Sequence, residues 1–340
     1  MSDLQEQSRS DWVDYAKCIG IVLVVYGHVA RGVYNAGIAM PESFYHWTDS
    51  IIYTFHMPLF FFLSGLFFLN TFQKKGGLRL SISKIDTVFY PYIIWSLFQG
   101  VIEATLSSYT NGTVSYADVF HLLVEPRAQF WFLYALFFIF IVSAILFTLL
   151  PKKAVSVGLL VSLVLYLLIG HVYVGAMPNH VFHNLLFFIL GIAFFHYFTL
   201  DAAVVSRWFL LWLLLFVVGQ YGFYLHEESL GVFSRVAKVL LIVVSILLVV
   251  SIAYLGAKKP KKWIVFVGTA SMAIYVMHIL AGSGVRIMLS RFLDIDSYIV
   301  HLLLGTLMAI IAPLLVFAFI KKYRIPFVFS LPVSRWIDKR

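Results

Sequence analysis

Apolar residues dominate ten stretches of the chain, at about 13–33, 50–69, 87–107, 130–150, 154–175, 183–199, 208–225, 236–256, 263–289 and 298–320. Most are near the length that a helix rising 1.5 Å per residue needs to cross a hydrocarbon layer ~30 Å thick. The pattern predicts an all-α, polytopic integral membrane protein of about ten transmembrane helices. Residues 1–340 read as a single transmembrane domain, with a short polar segment (1–12) before the first span and a tail (321–340) after the last.

Ten spans place both termini on one side. The connections on that side hold Lys74, Lys75, Arg79, Lys84, Lys152, Lys153, Arg207 and Lys258-Lys259-Pro260-Lys261-Lys262. With Arg9, Lys17 and the basic tail, 19 of the 25 Lys and Arg fall there. Cytoplasmic loops carry the basic excess, so both termini are expected in the cytoplasm.

Composition agrees. The chain is 61% hydrophobic and 12% charged, with mean hydropathy +0.92, against about 25% charged in soluble domains. The formal charge of +9 then reads as topology and contact with anionic lipid, not as a nucleic-acid footprint. The single Cys18 excludes an internal disulfide. No cleavable signal is expected, because Met1 to Trp12 is polar and of mixed charge.

Candidate chemistry starts in the first span. Lys17 and His28 are eleven residues apart, about three helical turns, so they share a face roughly 16 Å apart along the axis. Asp14 and Lys17 are spaced to pair at the span's entrance. His28 falls about halfway through the bilayer, where an ionisable ring is costly and marks a functional site by default. The alternative is that Asp14 and Lys17 snorkel as ordinary end-of-span charges and His28 makes a structural bond between helices.

Two further imidazoles lie inside spans: His56 in Phe55-His56-Met-Pro58-Leu-Phe60-Phe61-Phe62-Leu-Ser64-Gly65, and His278 one turn after Tyr275. Pro58 is expected to kink its helix and Gly65 to permit close approach of a neighbour. Ser64 lacks the strand-turn-helix elbow of a nucleophile. Three buried imidazoles on the first, second and ninth spans are explained together by a polar cavity. Arg127, just before the fourth span, is a candidate for an acidic sugar or phosphate, and Trp131 and Tyr134 open that span as belt or cavity residues. Glu103 reads as a partly hydrated structural carboxylate. His180 and His183 make half of a metal site, and with no further ligands at recognisable spacing no metal is expected.

At these residues the chain resembles the membrane acyltransferase-3 family, fucose-4-O-acetylase-like members included. The matching motifs are Asp14-x-x-Lys17 followed by His28, Phe-His56-Met-Pro58-x-Phe-Phe-x-x-Ser64-Gly65, Tyr-Pro91, Trp131-Phe-Leu, Phe-Phe-x-x-Gly191 and Tyr275-x-x-His278. The resemblance implies a ten-helix protein of the bacterial inner membrane. It implies transfer of an acetyl or similar acyl group from cytoplasmic acetyl-CoA, a co-substrate and not a bound cofactor, to a hydroxyl of a glycan or lipid-linked sugar. It also implies His28 as the catalytic histidine. Asp14, Lys17, His56, Ser64, Arg79, Lys84, Arg127, Trp131, Tyr134, Tyr275 and His278 are then the candidates for holding acyl-CoA or acceptor. The family often has Arg where Lys17 stands, and an Arg pair where only Arg79 and Lys84 stand. A transporter or flippase is the rival reading: it suits midplane ionisable groups and a Pro-interrupted helix, but inverted repeats and intramembrane carboxylates are not evident.

Overall fold

In the computed structural model, which describes residues 2–107, 115–123, 125–149, 155–169, 175–226 and 233–334, every regular element among the described residues is helical. The helices are α1 (Ser2–Asn35), α2 (Glu42–Gly65), α3 (Phe68–Lys75), α4 (Gly77–Lys84), α5 (Tyr90–Thr105), α6 (Tyr116–Phe120), α7 (Trp131–Leu149), α8 (Val155–Ile169), α9 (Ala176–Tyr197), α10 (Ala202–His226), α11 (Ser234–Gly256), α12 (Lys262–Thr269), α13 (Ser271–Ile287) and α14 (Tyr298–Tyr323). Among the described residues nine helical segments are long and apolar enough to cross a membrane, so the chain is a polytopic membrane protein.

The tenth expected span, 154–175, is represented by α8. Its 15 residues rise only about 22 Å, and residues 170–174 lie outside the description, as do Lys152, Lys153 and His171. The ninth span is not one helix: it breaks at Ala270 between α12 and α13. The third begins earlier than hydropathy suggested, because α4 runs through a π turn (Ile85–Phe89) into α5. Pro91, two residues after that turn, has no amide hydrogen to give the helical ladder. The tail residues Arg335, Lys339 and Arg340 also lie outside the description.

The chain divides into two compact units, Met1–Phe60 with Thr199–Phe319, and Phe61–Phe198 with Ile320–Arg340. In the first, α1 is the central helix and packs against α11, α12 and α13. Ala16, Ile21, Val24, Val25 and Val33 are almost completely buried. Small residues let the neighbours come close. A Cβ on Gly268 would collide with the Asp14 carbonyl oxygen, one on Gly20 would sit 2.9 Å from the Phe60 ring, and one on Gly305 2.9 Å from Val29. Such contacts supply much of helix association where lipid tails are as apolar as the side chains. By contrast α10 is apolar all round yet hardly buried, the signature of a helix facing lipid.

In the second unit α9 packs against α7 and α8 and crosses the end of α2 through two glycines. A Cβ on Gly65 would strike the Phe188 carbonyl, and one on Gly191 the Phe62 carbonyl. The close approach read from Gly65 is therefore present. Phe68, Phe140 and Phe188 pack together beside this crossing, with ring centroids 5.0–6.2 Å apart. The segment after α14 returns to α5: Tyr90 donates to the Phe327 carbonyl (2.8 Å), Trp95 Nε1 to that of Val328 (3.0 Å), and Ser334 to buried Asp86.

Candidate active site

The three imidazoles singled out by depth all belong to the first unit, and two of them meet. The His28 and His278 ring centroids are 5.1 Å apart. His28 stands on α1 five residues past the midpoint of the Asp11–Asn35 span, so it lies about 7–8 Å from the centre toward the Asn35 end. It keeps some accessible surface, whereas His56 and His278 are 1% exposed.

Both buried rings are fixed by their own helices. His278 Nδ1 donates to the Tyr275 carbonyl at 2.7 Å, and His56 Nδ1 to that of Ile52 at 2.6 Å. A carbonyl only accepts, so in each neutral ring Nδ1 carries the hydrogen and Nε2 carries the lone pair. The Nε2 of His278 is buried and has no hydrogen-bond partner. Tyr275 lies 6.1 Å from His278, ring to ring.

Tyr53 links the remaining imidazole to this pair. Its ring is edge-on to His56 at 4.6 Å and to His28 at 6.2 Å. Gly27 makes room for it, since a Cβ there would lie 3.0 Å from the Tyr53 ring. The Arg31 guanidinium, one turn along α1 from Gly27, sits 3.1 Å from the ring centroid. Arg31 grips Asp49 with two bonds, Nε to Oδ1 at 2.6 Å and Nη2 to Oδ2 at 2.9 Å. A forked, stacked guanidinium of this kind is geometry that Lys does not reproduce. Arg31, Asp49 and Tyr53 were not among the residues the sequence marked. The available signal was an opposite-charge pair flanking the connection between the first two spans, and the one-turn spacing of Asp49, Tyr53 and His56 on one helix.

Asp14 and Lys17 pair at 3.2 Å near the other end of α1. The basic turn between α11 and α12 is at this end too, with the Lys261 amide donating to the Tyr15 hydroxyl at 2.6 Å. The run Lys258–Lys262, read from sequence as a topology signal, thus lies at the same end of α1 as Lys17.

Ser64, Arg79, Lys84, Arg127, Trp131 and Tyr134 belong to the second unit. Lys84 Nζ lies 4.0 Å over the Phe140 ring, and Arg79 is exposed. Arg127 is tied to Glu103 at 2.8 Å, each side chain less than one-fifth exposed. Glu103 also accepts from Gln99, which exchanges bonds with Gln129. Glu103 is therefore a partly exposed structural carboxylate, tied to Arg127 and to the buried Gln99–Gln129 pair. Trp131 stacks on His180 at 4.8 Å, and Tyr134 lies 5.3 Å from Tyr92. His183 Nδ1 donates to the Asn179 carbonyl at 2.9 Å, and among the described residues no three His, Cys, Asp or Glu side chains are placed to hold a metal.

Against known families, residues 10–318 match the acyltransferase domain family, acyltransferase-3. The chain belongs to that family. The match takes in nearly all of the described helices, and with them every side chain of the His28 cluster. A curated relative is the nodulation protein NolL of Mesorhizobium japonicum, 31% identical over 141 residues, which are 40% of this chain and 35% of that protein. The chain thus matches about a third of the relative's length. No solved structure matches.

Proposed function

We propose that this acyltransferase-family protein moves an acetyl or similar short acyl group from cytoplasmic acyl-CoA to a hydroxyl of a cell-surface or lipid-linked glycan, with His28 as general base. The observation that carries the reading is the 5.1 Å approach of His28, which keeps some accessible surface, to a buried His278 whose Nε2 lacks a partner. Facing imidazole nitrogens about 3 Å apart put their ring centroids roughly 5 Å apart, so a small rotation of His28 brings one of its N–H groups onto that Nε2. The other His28 nitrogen then carries the lone pair. His278 is in this account a positioning residue that selects the tautomer, the part a carboxylate plays behind a serine-protease histidine.

In the step proposed, a sugar hydroxyl oxygen attacks the thioester carbonyl carbon as His28 takes its proton. The carbon–sulfur bond breaks, and the proton passes from His28 to the departing CoA thiolate. General-base help of this kind is worth typically ~10²–10⁴-fold. Lys17, held by Asp14 at the same end of α1 as the Lys258–Lys262 run, serves the anionic end of the donor. The bias of basic residues supports placing that end at the cytoplasmic face of a bacterial inner membrane.

The deciding experiment follows radiolabel from acetyl-CoA into surface glycan in membranes carrying wild type, His28→Ala or His28→Gln. Label is expected with wild type and lost in both variants at equal expression and membrane insertion. Transfer retained by the variants removes His28 from the mechanism, and export of unlabelled polymer by wild type turns the reading toward a transporter.

A further inference from the structure

A cavity of about 620 Å³ opens in the first unit, at the end of α1 remote from Lys17. Asp49, Ser50, Tyr53 and Thr54 line it from one face of α2, at one-turn spacing, with Tyr224 from the end of α10 and Lys238 from the start of α11. Its size is in the range of sites that enclose a small organic ligand. The α2 wall is polar. Thr54 donates to the Ser50 carbonyl at 2.6 Å and keeps its lone pairs, and each Asp49 oxygen, though bonded to Arg31, can still accept from a further hydroxyl. The opposite wall is aromatic: Tyr224 is braced by Trp47, edge-on at 4.9 Å.

Polar groups on one flank and an aromatic face on the other suit a ring with hydroxyls on its rim and C–H groups on its face. Tyr53 connects this wall to the reaction centre. It lines the cavity, its ring is 6.2 Å from that of His28, and its hydroxyl is buried without a partner. Such a hydroxyl is costly to leave unpaired, and a substrate hydroxyl entering past it would satisfy it.

We infer that this cavity is the acceptor subsite and takes a sugar ring. The ring's hydroxyls meet Asp49, Ser50, Thr54 and Lys238, its apolar face lies on Tyr224, and the hydroxyl to be acylated passes Tyr53 toward His28. The inference rests on the acyl-transfer reading and adds the place and chemistry of the second substrate.

The chain's single cysteine, Cys18, is buried, so a single-cysteine experiment is clean. In a Cys18→Ser background, Ser50→Cys is labelled in intact cells with a membrane-impermeant maleimide, with and without an oligosaccharide prepared from the host's own surface glycan. Labelling from outside is expected, slowed severalfold by the oligosaccharide and not by CoA. In transfer assays Tyr224→Ala and Lys238→Ala should each raise KM for that oligosaccharide about tenfold, the size of one lost contact, with KM for acetyl-CoA unchanged. Tyr224→Trp and Lys238→Arg should recover most of the loss. Labelling of Ser50→Cys only from the cytoplasmic side, absence of protection, or a change in KM for acetyl-CoA instead would overturn the inference. If the oligosaccharide protects but wild type transfers no acetyl group, the sugar site stands and the acyl-transfer reading falls.

Discussion

His28 and His278 come from helices 250 residues apart in sequence and bring their rings to 5.1 Å, the second of them pinned by Nδ1 and open at Nε2. If His278 selects the His28 tautomer, His278→Ala should lower kcat for acyl transfer by up to about 10²–10⁴-fold, the general-base range, with KM for acetyl-CoA little changed. His278→Gln, whose side-chain carbonyl can still accept an N–H, should recover part of the loss. Transfer kinetics of the two variants check this; equal losses in both would reduce His278 to packing.

Gly27 gives a steric prediction beside the same ring. A Cβ at this position lies 3.0 Å from Tyr53 and 3.3 Å from Ile52, and Arg31, one turn along the same helix, also packs on the Tyr53 ring. Tyr53 would have to shift away from α1 to admit a Cβ, which loosens its contact with Arg31. Gly27→Ala should reduce transfer several-fold and Gly27→Val abolish it, with a stability cost of about 1–3 kcal/mol for forced overpacking. Radiolabel transfer and thermal unfolding in detergent separate the two effects.

Much of this site was readable from sequence because the bilayer prices it. His28, His56 and His278 stood out since a polar ring at that depth needs a reason, and the Asp14–Lys17 pair followed from helical spacing. The close approach at Gly65 was equally legible, since only a missing side chain allows it. The Arg31–Asp49–Tyr53 arrangement was not. Its members come from two helices, and which faces meet is fixed by packing at Gly20 and Gly27, which no single-helix pattern encodes. The break at Ala270 was hidden because hydropathy runs unbroken through it. The return of the tail to Asp86 was hidden because it joins residues 248 positions apart.

The Arg31–Asp49 pair predicts a difference between charge and shape. Both side chains are partly exposed, 39% and 21%, so the coupling in a double-mutant cycle should stay near the upper end of the exposed-pair range, about 1 kcal/mol. Its effect on activity should be larger, because Arg31 also holds Tyr53. Arg31→Lys keeps the charge and loses the fork and the stacking, so transfer should fall nearly as far as in Arg31→Ala. Near-wild-type transfer in Arg31→Lys would show that charge alone suffices.

In the second unit, Gly65 and Gly191 face each other's helices so closely that either Cβ would land on a carbonyl of the other. Gly65→Ala and Gly191→Ala should each destabilise by about 1–3 kcal/mol. Because both substitutions force the same two helices apart, the double variant should cost less than the sum. Unfolding midpoints of the three variants in nanodiscs test the shared crossing, and strict additivity would disprove it.

The tail offers a prediction independent of the chemistry. Asp86 is 8% exposed and accepts from the Ser334 amide at 3.2 Å and from its hydroxyl at 2.5 Å. The Asp86 carbonyl also receives the Leu331 amide, a backbone contact that side-chain substitution leaves in place. Hydrogen bonds to a charged acceptor are worth about 1.5–3 kcal/mol, enough to hold a segment anchored otherwise by Tyr90 and Trp95. Asp86→Ala should therefore free the tail locally, raising the rate of tryptic cleavage after Arg324 by about tenfold or more, since cleavage of a transiently open segment tracks its open population. The global unfolding midpoint should move far less than the cleavage rate, because the helices of the unit keep their packing. Asp86→Asn, which retains an acceptor oxygen without the charge, should fall between. Cleavage at the wild-type rate in Asp86→Ala would show that Tyr90, Trp95 and the Trp95–Phe329 stack hold the segment by themselves.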